Sequence, residues 1–240
     1  MKGLRDGVVV VGMNTWIKTI LLLVAAAVVT RLLPFSEYFR NVNTFIHELC
    51  HAIVTLLSSG HVVFIHLFED HSGVTYSALP DNWRMIPVSL AGYIGASVFA
   101  WLLFRWYARG KQQSGLALLT VLASIGLLLF VRNEFGMMWC SGFIALSVLA
   151  MVIRWPQVRD AYYLFISFIC LVESVLTPLM LVIVAVDEPG AAGDAANLAA
   201  VTGVPAIAWA VVFLIVALWC GKVSIGELFP HGRKARGRAR

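Results

Sequence analysis

Apolar residues fill long, nearly unbroken stretches of this chain, and polar residues gather in short clusters between them. About 20 apolar residues are needed for a helix to cross a ~30 Å hydrocarbon core. Six stretches meet that requirement and are expected to span as helices, near 16–33, 86–104, 116–132, 136–154, 161–185 and 204–221. A seventh apolar helical stretch, near 43–58, carries His47, Glu48 and His51 and would be only about 24 Å long. It is expected to enter the membrane and return without crossing. After it, 61–68 and 74–79 read as two extended runs, joined by the turn residues Glu69-Asp70-His71-Ser72-Gly73, the pattern of a β-hairpin. The fold class expected is an all-α polytopic membrane protein with about six transmembrane helices, a short membrane-inserted helix and a small hairpin.

Charge refines the topology. Arg105, Arg109 and Lys111, then Arg154 and Arg159, mark cation-rich loops that should face the cytoplasm, whereas Glu69, Asp70 and Asp81, and later Asp187, Glu188 and Asp194, mark the other side. Six crossings with both termini inside satisfy this pattern. Seven crossings also fit the later loops but strand Lys2 and Arg5 outside. The N-terminal stretch, interrupted by Lys18 and running on past Ala25-Ala26-Ala27, reads as an uncleaved anchor.

Composition excludes a soluble enzyme: the 240 residues are 60% hydrophobic and 13% charged, with a mean hydropathy of +0.85. The formal charge of +5 belongs to Arg233, Lys234, Arg236, Arg238 and Arg240, without which 13 cations face 13 acids. That distribution argues against a nucleic-acid partner and suggests a cytoplasmic tail held near anionic lipid. The division expected is one transmembrane domain over 1–232 and a basic tail over 233–240. Cys50, Cys140, Cys170 and Cys220 are widely spaced, without a CxxC pair, and read as small buried hydrophobes.

His47-Glu48-Leu49-Cys50-His51 carries the chemistry. Two histidines at i and i+4 stack on one helix face about 6 Å apart and can share one zinc ion. Glu48, turned about 100° away, is placed to take a proton from water rather than to ligate. Such ionisable groups on an apolar helix are costly if they face lipid, so a purely packed role leaves a penalty of roughly 2.5 to 3.5 kcal/mol each. Glu173, deep in the 161–185 stretch, is a further intramembrane carboxylate: a candidate ligand or a hydrogen-bond partner of a neighbouring helix, with Thr177 nearby. His61, His66 and His71 read as surface histidines, Asp160 with Tyr162 and Tyr163 as an interfacial anchor, and Gly92 and Gly95 as close-packing residues.

The chain resembles the site-2 proteases, intramembrane zinc metallopeptidases. The H-E-x-x-H is followed by Ser58-Ser59-Gly60, an extended run and a Gly73-Val74-Thr75 return. Ala91-Gly92-Tyr93-Ile94-Gly95, Gly193-Asp194-Ala195 and Thr202-Gly203-Val204-Pro205 are similar to the short bacterial branch without a PDZ domain. The resemblance implies one zinc per chain, Glu48 as general base, a membrane-protein substrate with a transmembrane helix, and a bacterial cell membrane. The Leu-Asp-Gly that carries the family's third ligand is absent, and Asp194 is the replacement the resemblance suggests. Asn197, at i+3, would then lie beside it, in the surrounding shell or toward the oxyanion; a plain helix N-cap is the other reading of Asp194. Outside proteolysis stand a zinc-binding transporter or sensor, which does not require Glu48 between the histidines, and a pseudoprotease scaffold that binds helices without cutting them. The oligomeric state is not readable from sequence.

Overall fold

The computed structural model describes residues 15–33 and 35–229. The termini holding Lys2, Arg5 and the basic tail lie outside the described residues. Eight α-helices and one hairpin follow in the order α1 (Thr15–Leu32), α2 (Ser36–Leu57), β1 (His61–Leu67), β2 (Gly73–Ala78), α3 (Met85–Tyr107), α4 (Gln112–Leu129), α5 (Glu134–Val152), α6 (Pro156–Asp187), α7 (Gly193–Thr202) and α8 (Ala206–Leu228). Among the described residues, five helices are long and apolar enough to cross a membrane: α3 with its preceding 3-10 turn, α4, α5, α6 and α8. These are five of the six expected spans. The remaining one is present as α1, 18 residues long, but is not among those five.

The H-E-x-x-H helix is not short. It starts at Ser36 and runs for 22 residues, about 33 Å. The apolar run that suggested a later start is broken by Arg40, Asn41 and Asn43, yet Asn41 and Asn43 are buried within the protein. Buried positions recur along α2 at 39, 42, 45, 46, 49 and 52, a helical period that turns one face into the core. Phe45 packs against Trp139 of α5 and lies over Gly126 of α4. α3 is central, packing against α2, α6 and α8. Tyr163 is not an interfacial anchor: it is fully buried, fills the space over Gly115, and donates to the Leu103 carbonyl at 2.9 Å. Tyr162 is partly buried against Phe39, and Asp160 pairs with Arg159.

The hairpin is antiparallel, with Ile65 opposite Thr75 and Leu67 opposite Gly73, and a bulge between Val62 and Phe64. Its two edges differ. The outer edge of β1 is covered by the α4–α5 connection: Ile65 N–H donates to Phe130 O, Arg132 N–H donates to Ile65 O, and the Asn133 side chain both accepts from Leu67 N–H and donates to Leu67 O. Among the described residues, no backbone hydrogen bond covers the outer edge of β2.

Candidate metal centre

The i, i+4 spacing on α2 brings the His47 and His51 rings together, with Nε2 atoms 3.0 Å apart. His51 Nδ1 lies 2.7 Å from the Val88 carbonyl. A carbonyl only accepts, so Nδ1 carries a proton, and in the neutral ring Nε2 is then the lone-pair nitrogen that a metal ligand needs. α3 allows this crowding because residue 92 has no side chain. A Cβ there would stand 2.5 Å from both Nε2 atoms. One residue on, Tyr93 packs edge-on against His47 with ring centroids 4.5 Å apart, and Phe213 of α8 backs Tyr93 at 4.8 Å. The centre lies at the level of Val88–Gly92, within two turns of the start of α3.

α7 brings the third group. Gly193 adopts a left-handed backbone (φ 46°), which glycine takes without strain, and the chain turns there into a helix that aims Asp194 at α2. Asp194 Oδ2 lies 3.3 Å from His47 Nε2 and 3.2 Å from His51 Nε2. Asp194 is not the N-cap: Ala192 holds that position, and Asp194 sits in the first turn. The three ligand atoms lie within 4.8 Å of one another. Zinc takes nitrogen and carboxylate ligands at about 2.0–2.2 Å in a tetrahedron, whose ligands then stand roughly 3.3 Å apart. Two imidazoles and one carboxylate at 3.0, 3.2 and 3.3 Å fit that donor set and leave a fourth position.

Glu48 is buried beside the pair, held by the hairpin. Thr75 Oγ1 donates to Glu48 Oε2 at 2.6 Å, while Oε1 has no hydrogen-bond partner among the described residues. Gly73 permits this approach, since a Cβ there would stand 2.8 Å from Glu48 Cγ and 2.9 Å from Oε1. The family described as peptidase M50B-like matches residues 19–224, a range that includes all of these groups. The chain belongs to the peptidase M50B-like family. That membership places it with the site-2 protease-like metallopeptidases. No curated protein and no solved structure matches it.

In this M50B-like chain the other candidate residues are distributed as follows. Glu173 is not in the three-ligand group; its Oε1 accepts from Arg40 Nε at 2.7 Å and from Arg31 Nη2 at 3.2 Å, rather than from Thr177. Asn197 is exposed and lines, with Asp194, a groove of about 500 Å³ that runs along β2 from Ser77 to Gly73. A second cavity of about 410 Å³, lined by Arg31 and Arg40, lies on the other side of Glu48. Cys50 packs against Gly95, and Cys140, Cys170 and Cys220 are buried free thiols. His61 is exposed, and His66 stacks on Phe64.

At the hairpin turn, Thr44 donates to the His71 carbonyl at 2.7 Å and His71 Nδ1 lies 3.3 Å from Asn41 Oδ1. Burial and the nearby Arg40 cation push the His71 pKa down, and the Ser72 hydroxyl and N–H hold the Asp70 carboxyl below its ordinary range. Thr75, Tyr93 and the Val88 carbonyl escaped the sequence reading. For Tyr93 a signal existed, its place beside the two small residues of Ala91-Gly92. A strand threonine and a helix carbonyl have none.

Proposed function

We propose that this M50B-like protein is an intramembrane zinc metalloprotease, a single transmembrane domain that hydrolyses peptide bonds in or near the transmembrane segments of other membrane proteins. His47, His51 and Asp194 would hold one zinc ion per chain. The observation that carries the reading is the arrival of Asp194, from a separate helix, within 3.3 Å of both imidazoles while Glu48, on α2, is turned away from them to Thr75 of the hairpin. A zinc ion held there supplies Lewis-acid chemistry, acidifying a water and polarising a carbonyl.

The protein's own groups do the rest. A substrate helix must unwind before cleavage, because its carbonyls are hydrogen-bonded within the helix. The open edge of β2 offers replacement backbone hydrogen bonds to an extended segment. Glu48 accepts the proton of the attacking water at Oε1 and returns it to the leaving amine. Thr75 fixes the other carboxylate oxygen, and Asn197 is available to donate its amide to the oxyanion. The cation-rich α3–α4 and α5–α6 loops support a cytoplasmic C-terminus, and the resemblance to the short bacterial branch supports a bacterial cell membrane.

Purified protein is expected to contain one zinc and to cut a transmembrane peptide. Glu48→Gln should retain the metal and lose cleavage by roughly 10²-fold or more. A zinc-loaded wild type that cuts nothing would favour the transporter or scaffold readings, and undiminished turnover by the variant would remove Glu48 from the chemistry.

A further inference from the structure

The metal centre lies between two cavities of different character. Both are lined by His47, Glu48, Gly73 and Tyr93, so they meet at the site of cleavage. A segment paired with β2 from Ser77 toward Gly73 passes the three ligands and leaves the strand at the hairpin turn, whose residues Asp70–Gly73 line the second cavity. The groove on the β2 side has no lysine or arginine among its described lining residues. The other cavity has two, Arg31 and Arg40.

Their pairing is incomplete. Both guanidinium groups bind the same oxygen of Glu173, at 3.2 and 2.7 Å. Two cations on one carboxylate leave this cluster, though not the wall as a whole, with one positive charge. A guanidinium has five N–H donors, and Arg40 uses only Nε, its Nη atoms having no hydrogen-bond partner among the described residues. Its side chain is 19% exposed and lines the cavity, so the unused donors are open to a ligand. The other wall carboxylates keep their charge but are bonded elsewhere, Asp70 to Ser72 N–H and hydroxyl in the hairpin turn and Glu48 to Thr75 at the metal end, so neither is hydrogen-bonded to Arg40. An arginine with a free, partly desolvated fork matches a carboxylate in shape and charge. Stability alone does not explain the cluster, because a buried ion pair roughly breaks even with apolar packing.

Resting on the proteolytic reading above, we infer that the Arg40 cavity is a subsite for an acidic side chain of the substrate, within a few residues of the cleaved bond and on one side of it only. The enzyme thereby selects membrane segments whose unwound portion carries an aspartate or glutamate on that side.

The test uses the full-length zinc-loaded protein and transmembrane peptides in which Asp, Asn or Lys is placed in turn at each of several positions on both sides of the mapped cleavage bond. Asp should raise kcat/KM over the isosteric Asn by roughly tenfold or more, the effect expected of a hydrogen bond to a charged group, at positions on one side alone, and Lys should lower it there. In Arg40→Gln the Asp-to-Asn ratio at that position should fall to within about twofold. Cleavage of the Asn peptides with no Asp effect, or with an equal effect on both sides, overturns the inference while leaving proteolysis intact. A zinc-loaded Arg40→Gln that keeps the preference also overturns it. If wild type cuts none of the peptides, the proteolytic reading fails and the subsite fails with it. The wild-type comparison decides the matter even if Arg40→Gln does not fold.

Discussion

Single side chains divide sharply between those whose roles were visible in the sequence and those whose roles depend on distant partners. Asp194 and Glu173 are both carboxylates beside apolar helices, but one faces two imidazoles and the other two guanidinium groups. Zinc stoichiometry should therefore fall well below one in Asp194→Asn and stay near one in Glu173→Gln; the opposite pattern would exchange their assignments. Thr75 belongs to this scale too. Thr75→Val keeps the side chain's shape and removes the 2.6 Å bond to Glu48, so kcat should drop roughly tenfold with KM and zinc content little changed. His47, Glu48 and His51 were legible because helical spacing alone brings the histidines together. The partners of Glu173 were not, since Arg31 and Arg40 lie on other helices and no local pattern links them to α6.

Among elements, the crossing of α2 and α3 decides whether the imidazoles can meet. Gly92→Ala would push a methyl group against both rings. Zinc affinity should fall roughly ten- to a hundredfold, the range for losing a group that orients a metal ligand, with helical content unchanged by circular dichroism. An unaltered affinity would mean that α3 yields at this point. The hairpin's strands were readable from turn residues and extended runs, and they match to within a residue or two. The start of α2 was not readable. Arg40, Asn41 and Asn43 resemble loop residues to any rule based on hydropathy, and only packing reveals that Asn41 and Asn43 face inward. α7 was equally hard to place, because an alanine-rich ten-residue helix has neither the length of a span nor a marked apolar face.

At the level of the molecule, the charged loops and the hairpin make a joint statement about sidedness. If the α3–α4 loop is cytoplasmic, the α6–α7 connection, with Asp187 and Glu188, is on the opposite side. Single cysteines replacing Lys111 and Glu188 should react oppositely with a membrane-impermeant thiol reagent applied to intact cells: the second labelled at once, the first only after permeabilisation. Three of the native cysteines are buried and Cys50 is packed against Gly95, which keeps the background low. The helical, polytopic class was evident from the apolar runs, since a bilayer leaves few alternatives for a chain of this composition. The relative placement of α2, α7 and the hairpin was not, because it is fixed by contacts such as Gly92 against the histidines rather than by hydropathy. The asymmetry of the two-stranded sheet also bears on occupancy. With Asn133 and its neighbours closing off β1, the described residues leave a single berth for an incoming strand, so on the proposed proteolytic reading two peptides offered together should exclude one another and inhibit each other in a strictly competitive manner.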